Sequence, residues 1–325
     1  MAEKTYRDAI RDAMMEEMDR DPNVLVMGED IGVYEGTFRI TAGMLKKYGP
    51  RRVIDTPIAE AGMAGTALGM SMLGLRPIVE MMTMNFAIVA ADQILNHAAK
   101  VRYFSGGQVD IPMVIRGPQG AGVQLSAQHS QTFEALYGHF PGIKVATPAT
   151  PADAKGLLKT AIRDDNPVVF IEDKMDYTVK GEVPEGELEI PLGVADVKRA
   201  GEDVTIVATS SMVRVALAAA EQLESEGISA EVIDPRTLVP LDRDALVASA
   251  QKTGRAIVVD EGHRRYGATA ELAAVIADRA FYSLDAPVKR LGALDVPVPF
   301  APTLEDVTVP TPELVAQTAR ELCGK

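Results

Sequence analysis

Short runs of β-branched and apolar residues alternate with stretches of helical spacing along most of the chain, and this rhythm limits the fold more than any other feature. Val24-Leu25-Val26-Met27, Arg52-Val53-Ile54-Asp55, Pro77-Ile78-Val79-Glu80-Met81, Pro112-Met113-Val114-Ile115-Arg116, Ile143-Lys144-Val145 and Val168-Val169-Phe170-Ile171 read as buried strands. Thr5 is placed to cap a first helix through Met18, with Tyr6, Ile10, Ala13 and Met14 on one face. Further helices are expected at 60–73 and 86–103. Strands that alternate with crossover helices give a parallel sheet covered on both faces. The rhythm breaks between Lys174 and Val197, where 179–186 carries glycine, proline and charge without periodicity and reads as a linker. A second α/β run follows, with strands at 204–208, 229–233, 255–259 and 288–291 and helices at 213–225, 242–253 and 269–280. The chain therefore reads as α/β with two domains, 1–185 and 186–325.

Composition narrows the partners. Hydrophobic residues at 47% and charged residues at 24% are ordinary globular values, enough for two cores without disulfide or metal staples. Lys+Arg 33 against Asp+Glu 46 leaves a net charge of -13, which argues against nucleic acid and anionic membranes. Cys323 is the only cysteine, excluding a disulfide framework or a multi-cysteine metal site. The N-terminal residues lack a signal-peptide pattern, and no apolar run approaches the ~18 residues of a membrane span. The expectation is a soluble, cytoplasmic protein.

Several nucleotide and hydrolase signatures are missing: no P-loop, no GxGxxG, no HExxH, no GxSxG. Gly117-Pro118-Gln119-Gly120-Ala121-Gly122 follows a strand and reads equally as a flexible loop or a phosphate cradle. Glu60 stands where a strand ends and a helix begins, at the ligand-binding edge of an α/β sheet. Partial burial there suits it to holding or trading a proton; the bland alternative is a first-turn glutamate favoured by the helix dipole. Gly62, Gly65 and Gly69 line one stripe of that helix, each costing ~1 kcal/mol relative to alanine. They suggest close approach, either by another element of this chain or by a partner. His129, in Gln128-His129-Ser130-Gln131, is expected at the start of a helix, as an acid, base or carboxylate binder, or as a plain capping or surface residue. Met81, Met82, Met84 and Phe86 read as core or as the floor of a cofactor pocket.

Taken in order, Gly28-Glu29-Asp30, Ile54-Asp55-Thr56-Pro57-Ile58-Ala59-Glu60, Gly74-Leu75-Arg76-Pro77, Met82-Thr83-Met84-Asn85-Phe86, Arg116-Gly117-Pro118, Ala127-Gln128-His129-Ser130-Gln131, Arg236-Thr237-Leu238-Val239-Pro240 and Asp295-Val296-Pro297 form a pattern that runs end to end. The chain resembles the beta subunits of the decarboxylating component of 2-oxoacid dehydrogenase complexes, and the pyruvate-type members most.

The resemblance implies a thiamine-pyrimidine-binding parallel-sheet domain followed by a transketolase C-terminal-like α/β domain. It implies thiamine diphosphate shared with an alpha subunit that also holds the Mg2+, in a heterotetramer of two alpha and two beta chains serving a lipoyl acyltransferase core. Carried over by position, Glu60 hydrogen-bonds the pyrimidine nitrogen, Phe86 packs on the ring with Met82 beside it, and His129 aids acyl transfer. Met113, Ala161, Ile162, Asp164 and Asn166 fall on a potassium site built from backbone oxygens. Acetoin and branched-chain specificities share most motifs. A non-catalytic docking subunit and an isolated nucleotide-binding module are the alternatives from other classes.

Overall fold

A computed structural model describes residues 1–325, which form two compact units. The first comprises Met1–Gln119 and Leu136–Leu192, and the second Gly120–Ala135 and Gly193–Lys325.

Along the chain as far as Leu192 run β1 (Ala2–Thr5), α1 (Tyr6–Arg20), β2 (Val24–Gly28), α2 (Met44–Tyr48), β3 (Val53–Asp55), α3 (Glu60–Met72) and β4 (Arg76–Glu80). These are followed by α4 (Ala99–Phe104), β5 (Val114–Gln119), α5 (Glu134–His139), β6 (Lys144–Ala146), α6 (Pro151–Arg163), β7 (Val168–Asp173) and β8 (Lys180–Val183). Strands of the first unit lie in the order β6-β7-β5-β4-β2-β3, all parallel, with Val26 opposite Ile78 and Ile78 opposite Val114. The central strands are buried throughout because both faces are covered, so their sequences are continuous apolar runs rather than alternations. On one face α1 and α6 supply Tyr6, Ile10, Met14, Leu157 and Ile162 to the same core as Val26, Ile78 and Phe170. Both helices start as their sequences direct: Thr5 accepts the N–H of Asp8 at 3.1 Å, and Thr150 that of Asp153 at 3.1 Å.

Two expectations are corrected here. The stretch 86–103 is not one α-helix: a 3-10 turn (Phe86–Ile88) and a π-helical stretch (Asp92–Ala98) precede α4. The segment read as a linker contains β8, which pairs antiparallel with β1, Ala2 opposite Val183. Backbone pairing carries that two-stranded ribbon, so no side-chain periodicity announces it.

The second unit holds β9 (Asp196–Arg199), β10 (Val204–Ala208), α7 (Met212–Glu224), β11 (Ala230–Asp234), β12 (Thr237–Val239), α8 (Arg243–Thr253) and β13 (Ala256–His263). After these come α9 (Ala268–Arg279), β14 (Lys289–Ala293), α10 (Pro302–Glu305) and α11 (Pro312–Leu322). Its sheet runs β14-β13-β10-β11-β9, parallel except that β9 is antiparallel to β11. Val207, Ile233, Leu246 and Ile276 centre its core. No helix of either unit is long and apolar enough to cross a membrane.

Candidate functional site

In the first sheet, β2 has β3 on one side and β4 on the other, so the strand order turns at β2. The carboxyl ends of strands at such a point are where α/β sheets bind ligands. Each of the three strands delivers candidate residues to this edge. Glu29 follows β2, is 7% exposed, and has its Oε1 buried without a hydrogen-bond partner. Burial, then the charges of Glu60 and Asp30, push its carboxyl above the usual glutamate range. Glu60 opens α3 just beyond β3, 9% exposed, where the preceding Ala59 offers no capping side chain. The two carboxylates thus stand close enough for the charge of Glu60 to act on Glu29.

Beyond β4, Met81 and Met84 are buried, Met82 and Phe86 are half-buried, and the Thr83 hydroxyl is buried without a partner. Their path is set by β5: Met81 N–H donates to Arg116 O and Met84 N–H to Pro118 O, both at 2.8 Å. Gly117 is required for this approach, since a Cβ there would stand 2.6 Å from the Met81 carbonyl oxygen.

A buried ion network underlies these strand ends. Arg116, wholly out of solvent, pairs with Glu80 and, through two hydrogen bonds, with Glu172, while the Tyr177 hydroxyl donates to Glu172 at 2.7 Å. Burial opposes the guanidinium's charge, and the charges of Glu172 and Glu80 outweigh it and keep Arg116 protonated. Burial keeps the Glu80 carboxyl above the usual range even against Arg116. Sequence reasoning assigned no role to Glu29, Glu80 or Glu172. The available signal was a charged residue in or directly after an otherwise apolar strand.

Of the expected site residues, the first unit brings Glu60, Met82 and Phe86 to this edge. His129 belongs to the Gly120–Ala135 segment of the second unit. It is half-buried in a turn, its N–H donating to Ser126 O at 3.2 Å, and α5 begins only at Glu134. It is therefore a loop residue rather than a helix-start residue, because the positive-φ backbone at Gln124 and Ser126 is incompatible with a helix there.

The five positions expected to ligate potassium lie around the end of α6 and the starts of β5 and β7. Met113 O accepts Val168 N–H at 3.0 Å, and Ala161 O accepts Asp164 N–H at 3.3 Å. The Arg76 guanidinium donates to both Ile162 O and Asp164 O at 3.1 Å. The Asp164 carboxylate accepts from Lys144 and from Asn166, bonds that outweigh its burial and hold its pKa below the usual range. Arg76 thus already serves two of these five backbone oxygens, those of Ile162 and Asp164.

Known proteins place the edge residues in context. Residues 2–180 match the family described as transketolase, pyrimidine binding domain, and residues 193–315 match transketolase, C-terminal domain. The pyruvate dehydrogenase E1 component subunit beta of Rickettsia felis is 49% identical over 319 residues, covering 98% of this chain and 98% of that protein. The chain belongs to the E1 beta-subunit family of 2-oxoacid dehydrogenases. Within the E1 beta family, the 2-oxoisovalerate dehydrogenase subunit beta of Bacillus subtilis is 46% identical, over 99% of each chain. The fold of the E1 beta family is also that of a solved chain described as split gene transketolase, inactive beta4 tetramer, with a TM-score of 0.80 at 27% identity over 98% of both chains.

Proposed function

We propose that this E1 beta chain is the beta subunit of a pyruvate dehydrogenase, active only with an alpha chain. Together they carry out thiamine-dependent oxidative decarboxylation of pyruvate and pass the acyl group to the lipoyl group of an acyltransferase. Residues 1–185 grip the cofactor's pyrimidine and 186–325 form the C-terminal-like domain; the assembly is cytoplasmic, with two alpha and two beta chains. The observation that carries the reading is the Glu29–Glu60 pair at the turning point of the first sheet, with buried acceptors on Glu29 and Thr83 that no group of the chain satisfies. Such acceptors suit a ring that brings N–H donors and an apolar face. Thiamine diphosphate, when bound, supplies the electron sink for decarboxylation.

The chain's own residues do the rest. Glu60 takes and returns a proton at a ring nitrogen of the cofactor, and Glu29, whose carboxyl lies above the usual glutamate range, stands beside it. Met82 and Phe86 offer an apolar surface for the ring and exclude water from it. His129 assists the later acyl transfer as a proton donor. The alpha chain holds the diphosphate and its Mg2+. The face of α3 that carries Gly62 and Gly69 stands open for that partner, since a Cβ at Gly69 would meet nothing within 4 Å. A Cβ at Gly62 would meet only Ala59, at 3.7 Å, and one at Gly65 the Gln93 side chain.

The 46% identity of the Bacillus subtilis 2-oxoisovalerate chain supports branched-chain oxoacids as the second reading. The test is co-expression with the cognate alpha chain and thiamine-diphosphate-dependent decarboxylation of pyruvate, acetoin and branched-chain oxoacids with a dye acceptor. Highest turnover on pyruvate, and none from the beta chain alone, supports the reading. Highest turnover on a branched acid or acetoin replaces the substrate and keeps the mechanism.

A further inference from the structure

The segment that carries His129 is irregular backbone, and irregular backbone must find acceptors for its N–H groups. Here it finds them on acidic side chains of the same unit. Gly120 N–H closes the loop on Gln131 O at 3.3 Å. Ala121 N–H donates to Glu261 Oε1 at 2.7 Å. Gly122 N–H donates to Glu305 Oε1 at 2.8 Å, and Gln124 N–H to Glu305 Oε2 at 3.0 Å.

The local conformation explains why a carboxylate sits there. Gly120, Gly122, Gln124 and Ser126 all have positive φ, at +91°, +96°, +57° and +65°. Left-handed residues between ordinary ones turn successive N–H groups toward one side, forming a concave nest that binds an anion. Glutamine and serine seldom adopt this region unaided, so something must hold them in it. The anion is the Glu305 side chain, 2% exposed at the end of α10. Its own backbone is fixed in turn, because Glu305 O accepts the Thr308 hydroxyl at 2.6 Å, and Thr308 O accepts Leu294 N–H at 2.9 Å.

We propose that Glu305, supported by Glu261, is a positioning residue for His129. Glu305 seats the nest of the His129 loop and thereby fixes where the imidazole stands. The inference rests on the reading of His129 as a participant in acyl transfer.

The experiment uses the reconstituted alpha–beta enzyme with E305A, E305Q, E261A and H129A beta chains, each checked by thermal unfolding. Amide hydrogen exchange follows residues 120–131, reductive acylation of a free lipoyl domain follows the acyl-transfer half, and dye-coupled decarboxylation follows the first half. In E305A, the Gly122 and Gln124 amides should exchange about 10-fold faster or more. Acyl-transfer kcat should fall about 10- to 100-fold, with the KM for the lipoyl domain and the dye-coupled rate largely unchanged. E305Q, which keeps one acceptor oxygen, should recover part of both losses. E261A removes the Ala121 acceptor from a half-buried position, so it should give the same pattern more weakly, and it carries the test should E305A not fold.

Unchanged exchange in E305A, or in E261A should E305A not fold, overturns the clamp. A loss of acyl transfer in H129A that no clamp variant shares overturns the positioning role. No loss of acyl transfer in H129A overturns the reading of His129 itself, and the proposal falls with it.

Discussion

Arg116 and Glu172 face each other through two hydrogen bonds with neither side chain reaching solvent. Glu80 takes the remaining side of the same guanidinium, so one cation is shared by two buried carboxylates on the two strands that flank its own. Removing the cation leaves both anions in a low-dielectric site. Arg116→Met should destabilise the chain by about 3–5 kcal/mol, measured by urea unfolding. Adding Glu172→Gln should recover part of the loss. A change below about 1 kcal/mol, the scale of an exposed pair, would show that the network is solvated in solution.

Glu29 gives a pH signature whose sign can be worked out. Its folded pKa lies above the unfolded value, so the folded state binds the proton more tightly. Its contribution to stability is fully present below the ordinary glutamate pKa of about 4.3 and declines as pH rises through the folded value. Glu29→Gln, which keeps the shape and removes the charge, should raise the unfolding temperature near neutral pH. The gain should shrink on acidification toward pH ~4.3. A gain independent of pH would remove the electrostatic explanation.

The open face of α3 can be tested by bulk. Gly62 is exposed, and the nearest side-chain contact for a Cβ there is Ala59 at 3.7 Å. Gly62→Leu should leave the isolated beta chain at least as stable, because leucine forms helix better than glycine by up to about 1 kcal/mol. Mixed with the alpha chain, it should elute as separate subunits on size-exclusion chromatography where the native chain co-elutes. Co-elution at native yield would place the partner on another face.

Much of the first unit was legible because its strands are buried on both faces. Val24-Leu25-Val26-Met27 and Val168-Val169-Phe170-Ile171 leave little choice but a central strand. Thr5 announced the start of α1 with equal clarity, and its side chain accepts the Asp8 N–H. What escaped depends on backbone pairing or on conformations that side chains do not encode. β8 is held by its pairing with β1, and the π-helical stretch keeps an ordinary helical composition. The position of Glu60 between strand and helix was legible. Glu29 and Glu305 were not, since their roles arise from partners distant in sequence: Glu29 answers to Glu60, and Glu305 to Gly122, 183 residues away. For a related reason, nothing in the residue types at 162 and 164 shows that Arg76 reaches Ile162 O and Asp164 O.

The decisive measurement is thiamine-diphosphate-dependent decarboxylation of pyruvate by the alpha–beta enzyme carrying Glu60→Gln. An amide cannot take and return the proton that the carboxylate handles, and positioned acid–base catalysis contributes about 10²–10⁴-fold. The account predicts a loss of that size, with assembly and thermal unfolding unchanged. Turnover within a few-fold of the native enzyme would contradict it and leave the chain as a docking subunit of the complex.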